Sequence, residues 1–235
     1  MEFYNNYDNI HLNAIKKYFI NKKPILLYFI ILYGPPASGK SYLSNYFIKK
    51  MNINMENLIE INIDKIISNN ENINDDKNYW DFRKKYDSAS NMMIDMGIIS
   101  KLHILIETTG KTITYIIKQI EKIKKFGYNI IILYPYVKKE ILIDRINKRI
   151  TNKTQITIKP DEIEEYKIKA EKNINYLSKF CDEIFIYDNN DINNMELILE
   201  YKNGIYNCEN INNIEGNLNE FITDKCKKKM LLNIK

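Results

Sequence analysis

The feature that most constrains this chain is an apolar run that leads directly into a glycine-rich loop. Nine consecutive apolar residues, Ile25 to Tyr33, precede the pattern G-x-x-x-x-G-K-S. The pattern is formed by Gly34, Pro35, Pro36, Ala37, Ser38, Gly39, Lys40 and Ser41. Glycines let the backbone N–H groups converge on one cluster of phosphate oxygens, and a following helix adds the positive end of its dipole. The segment therefore predicts a loop that binds the phosphates of a nucleoside triphosphate.

Two side chains of this phosphate loop have predicted chemical roles. Lys40 is expected to reach the β- and γ-phosphates, and the Ser41 hydroxyl is expected to bind Mg²⁺. A chance match in a loop before a helix is the alternative. It is disfavoured because an apolar strand precedes the loop and a helical pattern follows it. We therefore expect ATP or GTP as the phosphate donor and Mg²⁺ as a cofactor.

Short apolar runs alternate with helical patterns along the rest of the chain. We predict strands at 25–33, 58–63, 103–107, 129–134 and 183–187, and helices at 40–50, 78–99, 112–126, 138–150 and 161–179. Such alternation is typical of a parallel sheet with crossover helices. The first strand is apolar on both faces, so it should be central and covered on both sides. The predicted fold is an α/β three-layer sandwich with a five-stranded parallel sheet in the order 2-3-1-4-5.

The length of 235 residues favours one α/β domain with modest extensions, and we assign residues 23–190 to that domain. Residues 1–22 are predicted to form an N-terminal helical extension, because apolar side chains recur at nearly helical spacing between residues 3 and 20. Residues 191–235 are predicted to form a C-terminal extension that packs on the same domain and contains a hairpin around Gly204.

Composition limits the other classes of function. The longest apolar run is far shorter than the roughly 20 residues of a membrane span, so no membrane partner is expected. The chain does not open with a signal segment, and Cys181, Cys208 and Cys226 are widely spaced without a C-x-x-C pattern. These observations indicate a cytoplasmic protein with reduced thiols and no zinc site. The net charge of +5 is too mild to indicate nucleic acid by itself.

Two carboxylates come at the ends of predicted strands. Asp64 ends the second strand and Glu107 ends the third. In a parallel sheet the carboxyl ends of the strands face the ligand crevice. Asp64 is therefore a candidate general base and metal neighbour for phosphoryl transfer, and Glu107 is a candidate for the metal water or for acceptor hydroxyls. The alternative for Asp64 is a helix N-cap, and for Glu107 a purely structural role.

Arg145 and Arg149 lie four residues apart, late in the fourth predicted helix, and therefore share one helix face. A polar segment, 151–157, follows them and could close as a lid. A guanidinium that closes over the γ-phosphate stabilises the charge that develops during transfer, which makes both arginines catalytic candidates. The alternative is a solvated basic helix face.

The set of these features resembles the zeta-toxin family of P-loop kinases over residues 25–190. The similar elements are the phosphate loop, Ile61-Asn-Ile-Asp64, Arg149, and Glu107-Thr-Thr-Gly110-Lys111, which is similar to the family's Glu-Gly-Thr-Gly-Arg. Members of the family phosphorylate UDP-N-acetylglucosamine on a sugar hydroxyl with ATP or GTP. The resemblance implies a P-loop kinase sandwich and a small helical antitoxin as a possible partner.

The resemblance also implies roles for individual residues. Asp64 would be the general base, Arg149 would clamp phosphate, and Glu107 and Thr109 would line the sugar-nucleotide side. The other candidates for the acceptor side are Thr108, Lys111 and Arg83. Thr108 and Lys111 replace a glycine and an arginine of the family pattern.

The position of the family's second lid arginine corresponds to about Thr157 in this chain, where there is no arginine. Lys153 or Lys159 could stand in for it, but an ammonium group lacks the paired donors of a guanidinium.

Two other readings remain open from the sequence. One is a nucleoside, nucleotide or polynucleotide 5′-kinase. For a polynucleotide acceptor, the aromatic and basic segment 78–86 could stack bases, or its aromatic side chains could belong to the core. The other is an interaction module that binds a nucleotide with little catalysis.

Overall fold

The computed structural model describes residues 26–70, 76–110, 112–151, 160–191, 193–209 and 214–232. The strands are β1 Tyr28–Tyr33, β2 Leu58–Ile61, β3 His103–Thr108, β4 Asn129–Tyr136, β5 Glu183–Asp188, β6 Glu196–Lys202 and β7 Ile205–Cys208. The α-helices are α1 Lys40–Lys50, α2 Ile63–Asn70, α3 Asp76–Ile99, α4 Ile113–Lys124, α5 Lys139–Thr151, α6 Pro160–Leu177 and α7 Asn217–Leu232. The predicted N-terminal helical extension, residues 1–22, lies outside the described residues.

The strands form one mixed sheet in the order β2-β3-β1-β4-β5-β6-β7. The first five are parallel, with β1 in the middle, so the predicted α/β class and the order 2-3-1-4-5 are confirmed. The prediction of five strands was wrong, because the C-terminal hairpin joins the same sheet through an antiparallel pairing of β6 with β5. The connection from β5 to β6 is too short for the crossover that a parallel pairing requires.

The strand β1 is buried on both faces, as its sequence predicts. Phe29, Ile31 and Tyr33 pack into a cluster to which α3, α4, α6 and α7 contribute. Ile30 and Leu32 pack on the opposite face against α1. Side chains of successive strand residues point to opposite faces, so a strand that is apolar throughout must be covered on both sides. The phosphate loop therefore follows directly on a strand that is buried on both faces.

The structure corrects the prediction that Asp64 ends the second strand. The strand β2 ends at Ile61, and α2 begins at Ile63, so Asp64 lies in the first turn of a helix. Asn62 caps that helix, since its Oδ1 accepts a hydrogen bond from the backbone N–H of Lys65 at 3.0 Å. Ile63 and Ile67 are four residues apart and pack in one small cluster beside α3. This helical packing overrides the strand-like alternation of the sequence.

The structure also corrects the prediction of three reduced thiols. Cys208 in β7 and Cys226 in α7 form a disulfide, while Cys181 is a free, buried cysteine. The fold brings β7 and α7 together although the two cysteines are 18 residues apart in sequence. Within the described ranges, no group of three His, Cys, Asp or Glu side chains could hold a metal ion. In the same ranges, none of the helices combines the length and apolar character that crossing a bilayer requires.

Candidate active site

The phosphate loop turns tightly between β1 and α1. Ser38 is fully buried, and its backbone N–H and its hydroxyl both donate to the carbonyl of Pro35, at 3.3 Å and 2.8 Å. Gly39 has a positive φ of 83°, and an added Cβ would collide with the side-chain amide of Asn189. That amide donates to the Ser38 carbonyl at 2.7 Å. A residue other than glycine would therefore distort both the loop and its contact with the end of β5.

Lys40 lies buried beneath this loop at the start of α1. Its Nζ donates to the carbonyls of Gly34 and Pro35 at 3.2 Å and 3.0 Å, and it lies 3.6 Å from Oε1 of Glu107. Burial lowers the pKa of Lys40, the neighbouring Glu107 opposes this effect, and Arg149 adds to it. The amine is thus a desolvated cation with one close carboxylate. Ser41, next in the helix, is exposed at the mouth of the loop.

Glu107 connects the ends of three parallel strands. Besides its pairing with Lys40, its Oε2 accepts a hydrogen bond from the side-chain amide of Asn62 at 2.7 Å. Asn62 follows β2, Glu107 lies near the end of β3, and Lys40 follows β1, so the contact runs along the carboxyl edge of the sheet. Glu107 thus lies at the strand edge that its sequence position predicts, and Asn62 joins it there.

Asp64 and Arg83 form a second polar group beside the first. Arg83 of α3 forms an ion pair with Asp64, and the Tyr79 hydroxyl donates to Asp64 Oδ1 at 2.6 Å. The pKa of Tyr79 is raised by burial and then by its hydrogen bond to Asp64. Asp64 is 62% exposed, so its carboxylate is open to solvent. Its charge also acts on Lys40, where it raises the pKa.

The two candidate arginines of α5 occupy different positions. Arg149 is half-buried, and burial lowers its pKa while the charge of Glu107 opposes that effect. Arg145 instead donates to backbone carbonyls of Ala37 at 3.4 Å, Asn189 at 2.8 Å and Asn190 at 3.1 Å. Arg149 therefore shares the electrostatic environment of Lys40 and Glu107, whereas Arg145 ties the phosphate loop to the segment after β5.

The segment after β3 folds back against the phosphate loop. The carbonyl of Thr108 accepts a hydrogen bond from the N–H of Gly34 at 3.2 Å, and its hydroxyl accepts one from the N–H of Gly110 at 3.3 Å. Thr109 follows with a partly exposed side chain. Lys111 lies outside the described residues, as do Lys153, Thr157 and Lys159 of the predicted lid.

Sequence reasoning missed Asn62 and Asn189. Each follows directly on a parallel strand, at the edge where ligands of such sheets bind. The strand-end rule that selected Glu107 could have found both. Asn62 lies within the Ile61-Asn-Ile-Asp64 element of the family resemblance, but the predicted strand 58–63 ran past it. Asn189 stands in no recognisable motif.

A family model described as Zeta toxin matches residues 11–196, well over half of the 235 residues. The chain belongs to the Zeta toxin family. The resemblance drawn from the sequence is thereby confirmed. An uncharacterized protein of Acanthamoeba polyphaga mimivirus is 28% identical to this Zeta toxin family member, over 47% of this chain and 45% of the mimivirus protein. The chain thus spans less than half the length of that relative.

Solved structures share the fold of this Zeta toxin family member at low sequence identity. The PezAT chromosomal toxin–antitoxin system of Streptococcus pneumoniae superposes with a TM-score of 0.53 at 17% identity, over 97% of this chain and 94% of that chain. AvrRxo1-ORF1:AvrRxo1-ORF2 with sulphate ions gives a TM-score of 0.62 at 13% identity, over 84% of this chain and 64% of that chain. The same protein pair with ATP gives a TM-score of 0.61 at 12% identity, over 85% of this chain and 63% of that chain.

Proposed function

We propose that this protein is a phosphotransferase that moves the γ-phosphate of ATP or GTP to a hydroxyl group of a small molecule. The observation that carries the proposal is the buried Lys40, which lies 3.6 Å from Glu107 beneath a complete phosphate loop. A desolvated lysine and a nearby guanidinium, Arg149, supply the positive charge that phosphoryl transfer requires. Membership of the Zeta toxin family supports the same reaction class.

The donor nucleotide would bind with its phosphates on the loop 34–41. One structural neighbour, the AvrRxo1-ORF1:-ORF2 pair, was crystallised with ATP, which supports ATP as a donor here. Ser41 and Asp64 both offer exposed oxygen atoms near the loop, the ligand type that Mg²⁺ prefers. Mg²⁺ is usually held by one or two protein groups together with the phosphates of the substrate. When bound, it would neutralise charge on the β- and γ-phosphates.

Asp64 is the proposed general base. In the transfer step, the acceptor oxygen forms a bond to the γ-phosphorus, and the bond from that phosphorus to the bridging oxygen of the β-phosphate breaks. The proton of the acceptor hydroxyl passes to the Asp64 carboxylate, and the nucleoside diphosphate leaves. Arg83 and Tyr79 hold that carboxylate in place through the ion pair and the 2.6 Å hydrogen bond. Arg149 would stabilise the transferring group.

A sugar nucleotide such as UDP-N-acetylglucosamine is the proposed acceptor. Glu107, Thr108, Thr109 and Arg83 would face it. Arg83 is paired with Asp64, and the other three follow one another at the end of β3, where Thr108 contacts the phosphate loop. Lys111 would join them. The polynucleotide alternative is less well supported, because Tyr79 is buried and Phe82 packs with it against α2. Tyr79 is therefore part of the core, and Phe82 is partly buried against it, so these two rings do not form an open stacking platform.

An antitoxin-like protein is a proposed partner of this chain. One structural neighbour, PezAT, is a toxin–antitoxin system. We propose that a small helical protein of the antitoxin kind would hold the present chain inactive, as the family resemblance implies.

A transfer screen with γ-labelled ATP and GTP tests the proposed function. UDP-sugars, nucleosides and oligonucleotides with a free 5′-hydroxyl are offered in parallel, with and without Mg²⁺. Labelling of UDP-N-acetylglucosamine is the expected result. Labelling of oligonucleotides alone would refute the proposed sugar-nucleotide acceptor but would still support a kinase. Tight nucleotide binding without transfer to any acceptor would indicate an interaction module instead.

A further inference from the structure

The turn at Gly110, next to the proposed acceptor residues, is held from two sides. Gly110 has a positive φ of 77°, and an added Cβ would collide with the ring of Tyr33. The Tyr33 hydroxyl lies 3.3 Å from the Gly110 carbonyl and 3.0 Å from the Ala170 carbonyl, and it can donate to one of them at a time. The side-chain amide of Asn173 donates to the Gly110 carbonyl at 3.1 Å.

The two elements that hold the Gly110 turn, β1 and α6, both pack in the core of the protein. Tyr33 is the last residue of β1, directly before the phosphate loop, and it is fully buried. Burial raises the pKa of Tyr33, so its hydroxyl remains a donor at physiological pH. Ala170 and Asn173 belong to α6, which crosses behind the turn. The conformation of the turn thus depends on where α6 lies.

The neighbouring turn of α6 binds the C-terminal helix. Glu171 is 3% exposed and lies at the start of α7, since a Cβ added at Gly216 would stand 3.2 Å from its Oε2. Burial raises the pKa of Glu171, and the backbone N–H groups of Asn217 and Leu218, the first residues of α7, oppose that effect. Glu171 is also paired with Lys167, whose Nζ lies 4.7 Å from the centre of the Tyr136 ring. A buried carboxylate at a helix N-terminus satisfies backbone donors that would otherwise lack partners.

Two further contacts hold α7 in place. The disulfide between Cys208 and Cys226 links it to the edge strand β7. Leu218 and Ile222 are fully buried in the cluster that contains Ile174 of α6. The C-terminal helix is therefore fixed both to the sheet and to the helix that supports the Gly110 turn.

We propose that the C-terminal residues 196–209 and 214–232 position the acceptor side of the active site. They do so by fixing α6, which presents Asn173 and Ala170 to the Gly110 turn and to Tyr33. Asn173 and Tyr33 are positioning residues that act through this turn on Thr108 and Thr109. The inference rests on the proposed function, in which those threonines face the acceptor.

Steady-state kinetics with UDP-N-acetylglucosamine as the acceptor probe tests the inference. Asn173→Leu removes the donor with little change of size, and Asn175→Leu, at an exposed position of the same helix, is the matched control. Loss of this partly buried hydrogen bond predicts a rise of up to about tenfold in the KM for the acceptor. The KM for ATP should stay unchanged. Equal effects of the two variants on the acceptor KM would overturn the inference.

A second pair of variants tests the link to the C-terminal helix. Glu171→Gln keeps an oxygen that can face the backbone N–H groups of Asn217 and Leu218, whereas Glu171→Leu keeps none. The glutamine variant should keep most of the acceptor affinity and the leucine variant should lose it, with ATP binding similar in both. If Glu171→Leu had the same acceptor KM as the wild type, the contact between α6 and α7 would not influence the acceptor site.

Hydrogen exchange of the free protein separates this inference from the proposed function. Peptides that cover residues 105–110 should exchange about tenfold faster in Asn173→Leu and Tyr33→Phe than in the wild type or Asn175→Leu. Peptides from α1 should exchange alike in all four proteins. If the wild type fails to phosphorylate any UDP-sugar, the proposed acceptor fails, and this exchange pattern still decides the positioning role. Unchanged exchange at 105–110 would refute it.

Discussion

Lys40 and Glu107 meet at the carboxyl edge of two adjacent parallel strands, with Nζ 3.6 Å from Oε1. The lysine is almost fully buried and the glutamate is 20% exposed. A buried amine needs a partner to stay charged, and Glu107 is such a partner of Lys40. We therefore expect the nucleotide phosphates to replace some of the present contacts of Lys40 with the loop carbonyls.

The first prediction concerns Lys40 itself. Lys40→Ala removes the buried cation, so it should weaken nucleotide binding and abolish transfer. Isothermal titration with ATP and Mg²⁺ measures the first effect, and γ-phosphate transfer measures the second. Lys49→Ala, at an exposed position of the same helix, is the control and should bind like the wild type. If Lys40→Ala bound ATP as tightly as the wild type, the assignment of the nucleotide site to this loop would be wrong.

The second prediction concerns the general base. Asp64→Asn keeps the size of the side chain and removes its basicity, so turnover should fall by ~10²-fold or more. ATP affinity should stay nearly intact. The control is Asp81→Asn, at an exposed position of α3. Near-normal turnover of Asp64→Asn would shift the role to Glu107, which Glu107→Gln would then test.

The third prediction concerns the pH dependence of nucleotide binding. Burial lowers the pKa of Lys40 in the free protein, and bound phosphates favour its charged form. Affinity for ATP should be flat below that lowered pKa. As the pH rises through it, binding requires uptake of a proton, and affinity should fall by up to about tenfold per pH unit.

Titrations between neutral pH and pH 10 measure this fall. Lys40→Arg carries a charge that does not titrate in that range, so its affinity should be lower but independent of pH. A parallel fall in both proteins would assign the effect to another group.

The fourth prediction separates the two arginines of α5. Arg145 contacts the carbonyls of Ala37 and Asn189, so Arg145→Met should loosen the phosphate loop and raise the KM for ATP. Arg149 lies in the electrostatic environment of Lys40, so Arg149→Met should chiefly lower kcat. Lys148→Met, on the exposed side of the same helix, should change neither constant. The same kinetic effect from both arginine variants would contradict the distinction.

The fifth prediction concerns the cysteines. Burial raises the pKa of the Cys181 thiol to about 12, and the other two cysteines form a disulfide. A thiol reagent at pH 8 should find no reactive thiol in the folded, unreduced protein. It should find one after denaturation and three after denaturation with reduction. Three thiols in the unreduced, denatured protein would show that Cys208 and Cys226 are not bonded.

Much of the fold follows from local patterns. The runs that form β1, β3, β4 and β5 are apolar and short, and the helices between them carry recognisable starts, so their order could be predicted. The predicted end of the second strand was wrong, because the same residues fit both the two-residue period of a strand and the period of a helix. Ile61, Ile63 and Asp64 fit an alternating strand, but Ile63 and Ile67 also fit a helix, and packing against Tyr79 decided between them.

The candidate site was predicted in part for the same reason. Strand ends in a parallel sheet share one edge, so Lys40 and Glu107 could be brought together from sequence. The contact of Asn62 with Glu107 and the ion pair of Arg83 with Asp64 could not be. Each depends on how helices α2 and α3 pack beside the sheet, which sequence spacing does not encode.

The sequence by itself determined the phosphate loop, the parallel order of the central strands and the family of this protein. These features depend on residue type and on local periodicity, which can be recognised from residues that are close together in the sequence. Tertiary structure alone decided that Arg145 ties down the loop, that Tyr33 and Asn173 hold Gly110, and that Cys208 pairs with Cys226. Those contacts join residues far apart in the chain, and their partners are fixed only when the helices have packed on the sheet.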